Sequence, residues 1–278
     1  MYKKITISNI EDFIYLFNNN NNFRDIKSVE PIFIGMLKAY QEDKELTIQT
    51  NNDYIKNMIF QEYKENATYS PIEHIPNSRI GLEKISTHLT DIMLKNFSAL
   101  SKTDITDLKH YLQYLFLELM NNVADHANSP IGGYTMAQYY PKEKKIQFVV
   151  ADRGVAFLKN IQLNFPNIDN EEQAIFKALE KGITSTETKV YGDTTKNAGF
   201  GLYAMSKILD MTGGKFIIIS NNTLVRYENG EFSTKQLNST WKGVVVSFEF
   251  FEANINHNMD YFKRNYLWKI DEKDDDFF

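Results

Sequence analysis

The stretch at 132–152, GGYTMAQYYPKEKKIQFVVAD, constrains the fold more than any other part of the chain. Two runs rich in aromatic and β-branched residues flank a polar PKEK segment, the pattern of an antiparallel hairpin. The second run is apolar enough to be a buried strand, and it delivers Asp152 at its end. Two amphipathic helices are expected just before it, over 82–100 and 107–127, with SKTDITD between them supplying Ser, Thr and Asp caps. After it come a helical piece, NEEQAIFKALEKG, a long polar run, TSTETKVYGDTTKNAG, and a helix, GFGLYAMSKILDMTGG, closed by glycines. Three strand regions follow: KFIIIS, LVRYENGEFST with an Asn-Gly turn, and GVVVSFEF. The expected class is therefore α+β, a mostly antiparallel sheet with helices.

The first seventy residues alternate shorter pieces. KKITIS and ELTIQT read as strands, and EDFIYLFNN, PIFIGMLKAYQE and DYIKNMIFQEY as helices. NATYSPIEHIPNSRIG carries two prolines and no clear period, so it reads as a connector with a domain boundary near residue 72. With 278 residues the chain suffices for one large or two modest domains. The expected division is 1–72, 73–256 and an acidic tail over 257–278.

Composition narrows the function class. A net charge of −5 with scattered Lys and Arg offers no basic stripe for nucleic acid. The absence of cysteine removes disulfides, thiolate catalysis and cysteine zinc sites, and suits a reducing compartment. Apolar runs such as FIIIS fall far short of the roughly 20 residues that span a bilayer, and MYKKITISNIEDF lacks a signal-peptide core. A cytoplasmic protein that engages neither membrane nor nucleic acid is expected.

Candidate chemistry begins in FLELMNNVADHANS, residues 116–129. At 100° per residue from Leu108, the stripe Leu112, Leu115, Leu119 and Val123 stays within about 60° of the start, while Glu118, Asn122 and His126 fall at about 280°, 320° and 360°. The polar trio slides into the buried stripe, where an unpartnered carboxylate or amide costs on the order of 1–3 kcal/mol. Internal hydrogen bonds are one answer. A metal-bound polyphosphate is another, because an amide oxygen can ligate Mg²⁺ and a carboxylate can deprotonate a nucleophile. In VVADRGVAF, Asp152 could accept from an exocyclic amine while Gly154 lets a flat ring approach the backbone. NAGFGL places Gly199 and Gly201 before a helix, where free N–H groups favour an anion.

Taken in order, these boxes resemble the GHKL ATPase superfamily of gyrase-type ATPases, histidine kinases, heat-shock chaperones and anti-sigma-factor serine kinases, over roughly residues 82–252. The resemblance implies a two-layer α/β sandwich, a mixed sheet with helices on one face, that binds ATP with Mg²⁺. It implies a base or water-orienting role for Glu118, the metal ligand at Asn122, a phosphate-side position at His126 and the adenine contact at Asp152 with Gly154. The family's next glycine is Ala156 here. The second glycine box implies nucleotide contacts at Gly199, Phe200, Gly201 and Leu202, with Asn197 in place of a glycine, under a lid over 184–198 that includes Thr184 and Lys196. GVVVSFEF resembles the closing Gly-Thr strand, with Val244 where the threonine stands.

Residues 1–72 loosely resemble a STAS-type module, although Glu30, Pro31, Ile32, Phe33, Ile34 and Gly35 offer no phosphoacceptor at the helix start. The Glu118-Asn122-His126 pattern most resembles the anti-sigma-factor serine kinases, which implies a bacterial regulatory or signalling role and a protein partner or substrate, and admits a homodimer. Three outcomes stay open: ATP hydrolysis, phosphorylation of a partner's Ser or Thr, and a non-catalytic ATP-controlled interaction switch. The histidines at 74, 88, 110, 126 and 257 include none in a convincing phosphoacceptor helix pair.

Overall fold

A computed structural model describes residues 3–18, 20, 22–60, 68–95, 102–180 and 201–252. The hairpin forms as expected: β4 (Gly133–Tyr140) pairs antiparallel with β5 (Lys145–Asp152). Two long strands, β6 (Lys215–Glu228) and β7 (Glu231–Phe251), replace the three expected regions. They meet at the Asn-Gly turn, where Asn229 and Gly230 both take positive φ, 55° and 82°, as a tight hairpin turn requires. The connector is not featureless: its residues Glu73–Ile75 form β3 and pair with β4. The sheet order is β3-β4-β5-β7-β6, and every pairing is antiparallel. The mixed sheet of the expectation is corrected accordingly.

β5 lies inside the sheet, between β4 and β7, and is buried along its whole length. Because side chains alternate across a strand, Ile146, Phe148 and Val150 enter one core while Val149 and Ala151 enter the other. The first core is covered by α3 (Leu82–Leu94), α4 (Lys102–His126), α6 (Glu171–Ala178) and α7 (Gly201–Thr212), with Phe157 of the short α5 (Phe157–Ile161) packed against it. α4 starts before the expected 107, so much of the supposed linker is helical.

The opposite face is covered too, which corrects the expectation of helices on one face only. Residues of α1 (Pro31–Lys44) share a core with Tyr134, Met136, Val149, Ala151, Ile217 and Val245 of the sheet. A Cβ on Gly35 would stand 2.9 Å from Val149 Cγ1, so the glycine permits the helix's close approach to β5. Around α1 lie β1 (Lys3–Ile5) and β2 (Ile26–Val29), a parallel pair, a 3-10 helix at Ile10–Phe17, and α2 (Asp53–Ile59). ELTIQT is not a strand; it contributes one isolated bridge, Asn22 to Gln49. The expected boundary near residue 72 falls where the chain enters β3, yet the segments on either side bury apolar surface against each other. Among the described residues no helix is long and apolar enough to cross a membrane.

Candidate functional site

The apolar stripe of α4 packs as its spacing requires, with Leu108, Leu112, Leu115, Leu119 and Val123 all buried in the first core. Glu118 goes down with them and is 9% exposed. Burial pushes its carboxyl up to about 7, against the opposing pull of Arg79 and of a hydrogen bond from Asn121, with Asp125 adding to the rise. Asn122 follows one turn later, half-buried. His126, also half-buried, is pushed down by desolvation, with Asp125 opposing and Arg79 assisting.

The turn after β5 docks on the end of this helix. Val155 N–H donates to the Ala127 carbonyl at 2.7 Å, and a Cβ on Gly154 would run into that carbonyl. The expectation that Gly154 makes room for a flat ring is therefore corrected: the space it leaves is filled by the backbone following α4. Asn160 closes the junction by donating to the His126 carbonyl at 2.9 Å. Ala156, where a family glycine was expected, has φ −78° and ψ 173°, an extended conformation open to any residue.

Asp152 has the parity of Ile146, Phe148 and Val150 and is 4% exposed. Its Oδ1 accepts from Gly154 N–H at 2.8 Å and from Val244 N–H at 3.3 Å. Burial pushes this carboxyl up to about 7 despite those two bonds and the nearby Arg153. Gly243 has φ 98°, and a Cβ there would meet Asp152 O and Oδ1 at 2.5 and 2.6 Å. Only glycine suits that position. The valine at 244 thus still serves Asp152, through its backbone.

The second glycine box is only partly within reach. Gly201 begins α7 and Leu202 is buried in the first core. Thr184, Lys196, Asn197, Gly199 and Phe200, the lid over 184–198 and the tail over 257–278 lie outside the described residues.

Residues that spacing did not single out complete the helix face. Arg79, in the supposed connector, grips Asp125 through Nε at 3.1 Å to both carboxylate oxygens and through Nη2 at 2.6 Å. Asn77, two residues earlier, donates to the Ser129 carbonyl at 2.8 Å, so this segment is strapped to the end of α4. The ion pair is partly exposed, with side chains 34% and 22% accessible, and such pairs contribute about 0–1 kcal/mol to stability. Arg79 matters more for charge. Arg79→Ala removes the cation that favours ionised Glu118 and leaves Asp125 unneutralised, and both changes raise the Glu118 carboxyl further. The midpoint of its titration, followed by carboxyl NMR, should rise by about one pH unit, with little loss of stability at pH 6 and about 1.4 kcal/mol lost by pH 9; an unmoved midpoint would remove Arg79 from the site.

Comparison with protein-family models and with curated proteins finds no match for this chain.

Proposed function

We propose that this chain is a Mg²⁺-dependent ATP-binding protein of GHKL type. Glu118 activates the acceptor of the γ-phosphoryl group, either water or a Ser or Thr of a partner protein, in a regulatory role. The observation that carries this proposal is the meeting of two pieces distant in sequence: the helix end bearing Glu118, Asn122 and His126, and the Asp152–Gly154 turn, joined by Val155 N–H to the Ala127 carbonyl at 2.7 Å. Each piece contributes a buried carboxyl pushed up to about 7. Perturbed titratable groups gathered by the fold are characteristic of functional sites.

Each residue then has a task. Asp152 accepts from the exocyclic amine of adenine, with its Oδ1 already held by two backbone N–H groups. Glu118, titrating close to neutrality, is suited to take a proton from a hydroxyl or water. The Asn122 amide oxygen is a hard donor of the kind Mg²⁺ accepts, since that ion uses one or two protein ligands and fills its octahedron with phosphate oxygens and water. Bound there, the ion would neutralise charge on the β- and γ-phosphates. Residues 1–72 belong to the same proposal as a STAS-like module that couples the nucleotide site to a protein partner.

Incubation with γ-labelled ATP, with and without cell lysate, separates the outcomes. Label as free phosphate identifies a hydrolase, label on a protein identifies a kinase, and ATP binding with no transfer identifies a ligand-controlled switch. A chain that binds no ATP overturns the proposal. Asn122→Ala should abolish Mg²⁺·ATP binding in calorimetric titration, because the ion loses its assigned protein ligand. Full affinity in that variant would sink the metal assignment.

A further inference from the structure

Asp152 ends β5 and Arg153 opens the bend that follows, and the two neighbours carry their side chains to opposite sides of the sheet. Arg153 lies on the α1 side, 4% exposed, with its guanidinium 4.5 Å from the Trp241 ring centre and 5.6 Å from that of Tyr40. Its Nε and Nη2 donate to Asp43 Oδ2 at 3.3 and 3.1 Å. The other oxygen of that carboxylate, Oδ1, accepts from Lys242 Nζ at 2.9 Å. Lys44 adds a longer contact, 3.8 Å to Oδ2.

Asp43 occupies the last turn of α1, where the helix dipole disfavours a carboxylate. Its side chain is only 5% exposed. Burial alone would push it up, yet Lys242 and Arg153 hold it below the usual carboxylate range. One ionised group thus joins the bend after β5 to β7. Arg153 follows Asp152 directly, and Lys242 precedes Gly243, where a Cβ would run into Asp152, and Val244, whose N–H donates to the Asp152 carboxylate. Trp241 ties the same two strands by donating from Nε1 to the Asp152 carbonyl at 3.1 Å.

We propose that Asp43 is a positioning residue for nucleobase recognition: through Arg153 and Lys242 it clamps the two backbone segments that hold Asp152, so the N-terminal segment is a working part of the nucleotide site. The inference rests on the ATP-binding function proposed above and adds a determinant of base selectivity lying on the far side of the sheet from the nucleotide. A partner that shifts α1 would act on adenine recognition through this clamp.

The test compares the wild-type chain with Asp43→Asn and Lys242→Ala. Three quantities are read: hydrogen exchange at the Gly154 and Val244 amides without ligand, the ratio of ATP to GTP affinity, and the affinity for Mg²⁺·tripolyphosphate. In Asp43→Asn both amides should exchange about tenfold faster, because the local opening they report becomes easier. The ATP:GTP ratio should fall by about fivefold while tripolyphosphate binding is unchanged, since only the base contact is displaced. Lys242 is half-exposed, so its removal leaves the core intact; Lys242→Ala should speed Val244 exchange by about threefold, and it decides the matter if Asp43→Asn does not fold. Wild-type exchange and wild-type base preference in the folded variants would overturn the inference while leaving ATP binding in place. A wild-type chain that binds no ATP would overturn both.

Discussion

Glu118→Gln is expected to give a chain that is more stable than wild type and nearly inactive. The carboxyl is 9% exposed, and burial raises it from an ordinary 4.5 to about 7. Between those two values the folded protein keeps a proton that the unfolded chain has released. The neutral acid's contribution is thus fully present below pH 4.5, falls as pH rises, and is gone above about 7. The shift corresponds to about 3 kcal/mol, the cost at pH 8 of holding a charge in that position. Glutamine keeps the shape and a carbonyl acceptor for Asn121 without the charge. Melts at pH 8 should therefore show a gain of up to about 3 kcal/mol that disappears by pH 4. Phosphoryl transfer or hydrolysis should fall by about 100-fold or more, the scale of losing a general base. The stability gain follows from burial whatever the role of the group, so turnover is the readout that separates a catalytic from a structural carboxylate. Undiminished turnover in the folded variant would take Glu118 out of the chemistry.

The parts of this fold legible in the sequence are those that declare themselves locally. The β4–β5 hairpin, the α4 stripe and the Asn229-Gly230 turn follow from side-chain period and turn chemistry, and all three form. β3 was hidden because three residues between prolines carry no period, and its strand character comes from pairing with Tyr134 and its neighbours. β6 and β7 looked like three pieces because their outer portions are more exposed than the apolar runs near Ile217 and Val245. α1 is legible as a helix in PIFIGMLKAYQE, but its packing on the sheet is not. Its near-continuous burial from Pro31 to Leu37 shows an element enclosed on several sides, with the sheet on one of them.

The candidate site divides in the same way. Glu118, Asn122 and His126 stand out because they share one helix and one spacing. Arg79 and Asp43 come from other elements, and no periodicity within a segment reports which distant charge it will meet. Arg153 carries no such signal either, because β5 ends at Asp152 and the bend that follows sets the direction of the next side chain.

Asp152→Asn should reverse base preference. Asparagine retains Oδ1 for the Gly154 and Val244 N–H groups, at 2.8 and 3.3 Å in the wild-type chain, so the turn stays in place. The second carboxylate oxygen becomes an NH₂ donor. Against the exocyclic amine of adenine this sets donor to donor, whereas a 6-oxo base such as guanine or hypoxanthine presents an acceptor. Losing a charge-assisted hydrogen bond and leaving donors unpaired should weaken ATP binding by about 10- to 100-fold, with a matching gain for inosine triphosphate. Proton linkage gives an independent check. The buried carboxyl rises from 3.8 to about 7, so its charged form destabilises the folded chain above about 7, and the cost fades as pH falls towards 3.8. The variant should gain up to about 4 kcal/mol at pH 8 and little at pH 4. In the wild type, adenine favours the ionised acceptor, so ATP affinity should decline as pH drops below about 7. Competition titrations of ATP against inosine triphosphate at pH 6 and pH 8 measure both effects, and unchanged selectivity in Asp152→Asn would remove this residue from base recognition.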